Sequence, residues 1–193
     1  NLFRAIELND TLPLVRIANS HPTDCKRALD AGAGGIIAPM IENAETLKII
    51  RDACYWPTRG NRGVGFSRAN LFGKNFNEYQ EEAQMPLLVA QIEHISAVQN
   101  LESILKVEGL DALMIGPYDL SASMSITGKF DSKDFIDTLD EIIQLCTKYD
   151  IPFGDHVVTQ DQKLLKKKID QGYRFIAYRT DGIFLTNNSE NPQ

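Results

Sequence analysis

Two apolar runs, Pro86–Ala90 and Ala112–Ile115, each end in an acidic segment. Gln91-Ile92-Glu93 closes the first, and Gly116-Pro117-Tyr118-Asp119-Leu120-Ser121 follows the second. An amphipathic helix pattern lies between them. That is one βαβ unit, which makes the two runs neighbouring parallel strands. Adjacent strands lie about 4.8 Å apart, so Glu93 and Asp119 should project from one rim of one sheet.

The same alternation runs through the chain. Strands are expected over Leu12–Ala18, Gly34–Met40, Pro86–Glu93, Asp111–Pro117, Ile151–Val157 and Arg174–Tyr178. Helices are expected over Pro22–Ala31, Asn43–Ala53, Phe76–Ala83, Ser96–Val107, Ser132–Tyr149 and Gln160–Gln171. Gly32, Gly109 and Gly172 sit where helices should stop, and Ser132 and Thr159 where they should start. Alternating strands and helices imply an α/β fold with a parallel sheet. Six strands fit an open doubly wound sheet or most of a TIM (β/α)8 barrel, which needs about 250 residues. No GxGxxG opens a helix, so the nucleotide-binding open sheet lacks its signature. Leu2, Phe3, Ile6 and Leu8 resemble the last turns of a helix already under way. The barrel is therefore favoured, with its first two βα units upstream of Asn1. The organisation expected is one partial barrel domain over residues 1–186 and a polar, disordered tail over 187–193.

Composition limits the partners. The net charge of −6 argues against a broad nucleic-acid footprint, and the basic run Lys163–Lys168 reads as a solvated helix face. No apolar run is long enough to cross a membrane. Cys25, Cys54 and Cys146 are sparse, odd in number and form no CxxC pair. That pattern suggests reduced thiols and a cytoplasmic location.

Several residues could carry chemistry. Glu93 and Asp119 could share one divalent cation of the Mg²⁺ or Mn²⁺ type, with Co²⁺ a third candidate; otherwise each caps a helix or pairs with a surface cation. Arg16 ends an apolar strand, where a cation is costly without a partner. It either binds a substrate carboxylate or developing oxyanion or forms a structural ion pair. Arg59-Gly60-Asn61-Arg62-Gly63-Val64-Gly65 is an anion-binding nest or simply a tightly turning loop. The turn at Gly116–Asp119 could offer backbone N–H groups to a carboxylate, with Ser121 supporting it. Of the histidines, His21 reads as structural and His94 as pointing away from the site. His156, at a strand end, is at the functional rim. No serine or cysteine triad emerges.

Taken together these residues resemble the HpcH/HpaI aldolase family, metal-dependent class II pyruvate aldolases of the phosphoenolpyruvate/pyruvate barrel superfamily. Beyond Leu12–Arg16, similar blocks are Ala28–Ala33, Ile36–Met40, Arg62–Gly65, Val89–Glu93, Val107–Asp111 and, most specifically, Ile115–Ser121. The resemblance implies an aldehyde-lyase that makes or cleaves 2-oxo-4-hydroxy acids through a pyruvate enolate, with pyruvate and an aldehyde as partners. It implies Glu93 and Asp119 as metal ligands, and Arg16 as the contact to pyruvate and its enolate. Gly116, Pro117, Tyr118 and Asp119 would line the carboxylate pocket, with Gln91 beside the metal. Asp30 would match an aspartate that partners the family's catalytic histidine. Placed at its own barrel's lower rim, it would act on a neighbouring subunit of a homo-oligomer, a hexamer by the resemblance. That histidine lies in an Asp-x-Glu-His segment with no counterpart here, so this fragment alone is expected to be impaired. Related enolate chemistry on citrate-like or thioester substrates, and a non-catalytic truncated paralogue, are the alternatives.

Overall fold

The computed structural model describes residues 1–189. Six parallel strands pair strictly in chain order: β1 Leu14–Arg16, β2 Gly35–Ala38, β3 Leu87–Ile92, β4 Ala112–Ile115, β5 Phe153–Val157 and β6 Phe175–Tyr178. Each is joined to the next by helical crossovers, as parallel pairing requires. The sheet curls, and β1 and β6 are its two edges. The architecture is therefore a curled parallel α/β half-barrel, in keeping with the expected strand set.

Alternation along the strands divides the core in two. Ile36, Leu88, Ile92, Leu113 and Ile115 are buried on the convex face against Leu47, Ile50, Leu101 and Ile104 of the helices. Residues between them face inward: Val89, Ala112 and Met114 cluster with Ile37, Phe175 and Ala177 on the concave face. Both faces of these strands are covered, which is why their sequences are continuous apolar runs rather than alternating ones.

The helices are α1 Leu2–Glu7, α2 Pro22–Asp30, α3 Ala44–Cys54, α4 Phe76–Glu82, α5 Ile95–Gln99, α6 Leu101–Leu105, α7 Pro117–Ser123, α8 Lys133–Lys148, α9 Gln162–Asp170 and α10 Asp181–Asn188. Gly32, Gly109 and Gly172 adopt φ of 103°, 87° and 92°, the left-handed geometry that ends helices. Ser132 caps α8, accepting the Phe135 N–H. Four expectations need correction. The single helix over Ser96–Val107 is two, broken at Asn100 (φ −103°, ψ 7°). The cap of α9 is Asp161, not Thr159, because its carboxylate accepts both Lys163 and Leu164 N–H at 2.9 Å. The segment after β4 is helix α7 rather than a bare turn, started by Pro117 in its first turn. The first two residues of the expected tail, Asn187 and Asn188, are the last of α10; residues 190–193 lie outside the described residues.

Candidate active site at the carboxyl edge of the sheet

Glu93 follows the last residue of β3 and is only 4% exposed. Two donors fix its carboxylate. The Met40 N–H reaches Oε1 at 2.8 Å, and Gln91 Nε2 reaches Oε2 at 2.8 Å. Met40 can aim its amide there because the chain turns sharply after β2, with φ of 50° at Met40. Burial pushes the pKa of Glu93 above the ordinary carboxylate value, and the Asp119 charge adds to this; the Met40 N–H and the Arg16 charge act in the opposite sense. Glu93, Asp119 and Arg16 are thus one electrostatic cluster, assembled from β3, α7 and β1.

Gly116 sits between the parts. It caps α7 with φ −103° and ψ 89°, a conformation open to any residue. The constraint is space: a Cβ there would lie 2.8 Å from both Glu93 Cβ and Oε2 and 3.1 Å from Gln91 Nε2. Pro117 and Asp119 belong to the first turn of α7. Tyr118 is largely exposed, its ring edge-on to Phe130 with centroids 5.0 Å apart. Ser121 holds this turn as expected: fully buried, it donates to the Tyr118 carbonyl at 2.9 Å and accepts the Gly128 N–H at 3.0 Å.

Arg16 ends β1, but it is exposed rather than buried. Its Nη1 donates to the Ile17 carbonyl at 3.2 Å, and it forms no ion pair among the described residues. The structural ion pair is therefore not what keeps a cation in this strand.

Asp30 is not part of the cluster. It lies at the end of α2, where Lys26 Nζ reaches it at 2.7 Å and Arg62 Nη1 lies at 3.8 Å. In the Arg59–Gly65 loop, Arg59 binds the Gln84 carbonyl and covers the Tyr55 ring, and Arg62 is buried near Trp56 and Tyr79. His21 and His94 cap α2 and α5 through Nδ1.

No group of three His, Cys, Asp or Glu side chains gathers as a complete metal site among the described residues. Two carboxylates, Glu93 and Asp119, lie together here, with one orphaned acceptor beside them: Gln91 Oε1 is buried without a hydrogen-bond partner. An all-oxygen donor set around like charges fits a hard divalent cation. What sequence reasoning missed is Met40. Its role lies in a backbone N–H and a positive φ on a non-glycine residue, which no residue pattern signals.

The model of the HpcH/HpaI aldolase/citrate lyase family matches residues 2–188. The chain belongs to this family. A hydroxypyruvate/pyruvate aldolase of Roseobacter denitrificans is 32% identical over 188 residues, covering 96% of this chain and 73% of that protein. A 4-hydroxy-2-oxovalerate aldolase of Novosphingobium aromaticivorans is 34% identical over 171 residues, covering 88% of this chain and 64% of that protein. Among solved structures, a family member from Burkholderia cenocepacia superposes with a TM-score of 0.88 at 27% identity, covering 96% of this chain and 74% of that one.

Proposed function

We propose that the rim cluster is the active site of a pyruvate aldolase, a carbon–carbon lyase that forms or cleaves 2-oxo-4-hydroxy acids through a pyruvate enolate. The named aldolases at 32–34% identity support the activity. The observation that carries the site is Glu93: a buried carboxylate, fixed by two donors, beside a second carboxylate and a glycine whose Cβ would crowd it.

In this reading Glu93 and Asp119 hold a divalent cation, Mg²⁺ or Mn²⁺ with Co²⁺ also compatible, and Gln91 lies beside it. When bound, the cation supplies Lewis-acid stabilisation of negative charge on a 2-oxo acid. Arg16, exposed and without an ion-pair partner, binds the pyruvate oxygen on which enolate charge develops. The backbone of Gly116, Pro117, Tyr118 and Asp119 receives the carboxylate. Met40 and Gln91 keep the Glu93 carboxylate oriented, so its geometry is set before substrate arrives. Asp30 serves a neighbouring subunit's site in a homo-oligomer, which the family resemblance suggests is a hexamer. The finer fold reading is a TIM (β/α)8 barrel to which these strands contribute six, consistent with an unpaired seam between β1 and β6. Three free, buried thiols agree with a cytoplasmic location.

The test is deuterium exchange into the methyl group of pyruvate, using protein expressed from its natural start codon. Exchange that needs Mg²⁺ or Mn²⁺ and disappears in Glu93→Ala is the expected result. A folded, metal-loaded protein without exchange would sink the pyruvate reading.

A further inference from the structure

We propose that Ser20 is a positioning residue for the Glu93 carboxylate, acting through the Pro39–Met40 peptide; its bearing on catalysis rests on the pyruvate aldolase reading above. Ser20 is half-buried in the loop between β1 and α2. Its Oγ donates to the Pro39 carbonyl at 2.5 Å. The N–H of that same peptide group belongs to Met40 and donates to Glu93 Oε1 at 2.8 Å. One planar amide therefore accepts from Ser20 on one side and donates to Glu93 on the other. The β1–α2 loop, the end of β2 and the end of β3 are joined through it. Hydrogen bonds in series polarise one another, so the hydroxyl on the carbonyl strengthens the N–H as a donor.

This peptide needs holding. Met40 has φ of 50°, a left-handed conformation that a residue with a Cβ disfavours. Turning the Pro39–Met40 peptide over would bring Met40 into the ordinary negative range and point its N–H away from Glu93. The chain on either side is anchored. Ala38 pairs with Ala90 in the ladder, the Pro39 ring fixes its own φ, and the fully buried Ile41 donates its N–H to the Gln91 carbonyl at 3.4 Å. Between those anchors the peptide can turn over by itself. Local sterics favour that turn, and the hydrogen bonds to Ser20 and Glu93 oppose it.

Of these two restraints only Ser20 lies outside the carboxylate cluster, so its hold does not depend on what the carboxylate binds. With the peptide turned over, Glu93 would keep the Gln91 Nε2 bond at Oε2 and lose the donor at Oε1. The Pro39 carbonyl would then face Oε1, acceptor against acceptor. The carboxylate would be free to rotate, and its oxygens would no longer be fixed before a ligand arrives. Ser20 also follows the end of β1 that carries Arg16, so one segment presents the exposed cation and holds the buried carboxylate.

Wild type, Ser20→Ala and Ser20→Thr, each expressed from the natural start codon, are compared in two measurements well below Tm. Amide hydrogen exchange at Met40, in chelator, reads the hold on the peptide. Mn²⁺ titration followed by electron paramagnetic resonance reads the carboxylate site. Ser20→Ala is expected to lower Met40 protection and to weaken Mn²⁺ binding, each by roughly 3- to 10-fold, the net worth of one hydrogen bond. Ser20→Thr keeps the hydroxyl and should bring both to within about twofold of wild type. A serine that merely packed its loop would lower Tm in Ser20→Ala and leave the Mn²⁺ affinity of the folded protein unchanged. That result overturns the proposal, as does Met40 protection in Ser20→Ala equal to wild type, or a Ser20→Thr protein as weak as Ser20→Ala. A wild type that binds no Mn²⁺ overturns the reading of the site instead, and Met40 exchange still decides whether Ser20 holds the peptide.

Discussion

Replacing Gly116 by alanine adds one methyl group at the centre of the candidate site. The new Cβ would lie 2.8 Å from Glu93 Cβ, where ordinary contact begins at 3.4 Å. Relief needs a displacement of about 0.6 Å, and the group in the way is fixed to the end of β3 rather than being a flexible tip. Backbone conformation adds nothing, because φ at Gly116 is −103°. The expected cost is that of overpacking, about 1–3 kcal/mol. For a chain of this size that lowers Tm by roughly 2–12 °C. The same shift moves the Glu93 carboxylate, and misplacement near 1 Å costs roughly 10²-fold in rate. Calorimetry and pyruvate methyl exchange on Gly116→Ala measure the two effects. Gly182→Ala is the control, since no atom lies within 4 Å of a Cβ there. A Gly116→Ala protein with wild-type Tm and wild-type exchange would refute the claim that this space is needed.

Three other variants probe separate parts of the structure. Glu93 has a raised pKa, so between the unfolded value, about 4.3, and the folded value the native state holds more protons. Wild-type stability in chelator should therefore fall as pH rises through that window, while Glu93→Gln, which carries no charge, should be more stable above it and gain nothing below it. Urea titrations in which the gap between the two proteins does not change with pH would contradict this. Arg16→Ala removes an exposed side chain without an ion pair, so its stability should stay within about 0.5 kcal/mol of wild type while pyruvate exchange falls by roughly 10²- to 10³-fold; a large loss of Tm would show a structural role instead. Lys168→Met strands Asp155, whose side chain is only 10% exposed, and should cost about 3–5 kcal/mol; adding Asp155→Leu should recover most of it, and a double variant as unstable as the single would argue against the buried pair as the cause.

Strand positions and the Glu93–Asp119 pairing are legible in the sequence because both rest on strand patterning and on βαβ connectivity, which local sequence encodes directly. Ser121 and the helix-ending glycines are legible for a similar reason, since each satisfies neighbours within a few residues. Arg16 is legible only in part: its place at a strand end can be read, but the apolar strand suggests burial, and the structure leaves it exposed. The break at Asn100 and the Asp161 cap escape sequence reading because competing caps differ only in which carboxylate or hydroxyl reaches the free N–H groups. Met40 is beyond reach altogether. A backbone amide from the far side of a crossover depends on tertiary placement, not on residue type.

The hydrogen bond from Met40 to Glu93 also spans the widest sequence gap between adjacent strands of the sheet. Gly35 pairs with Leu87, whereas Leu14 pairs with Gly35 and Gly154 with Phe175 across far shorter stretches. Loop-closure entropy grows only slowly, by about 0.6 kcal/mol per doubling, so the native state bears little penalty for the long excursion through residues 55–86. Assembly order is affected more, because the β2–β3 pairing is the encounter the chain must search longest to make. The carboxylate anchor therefore lies across the most non-local seam of the sheet, and amide exchange at Met40 should report whether the two sides of that seam are in contact.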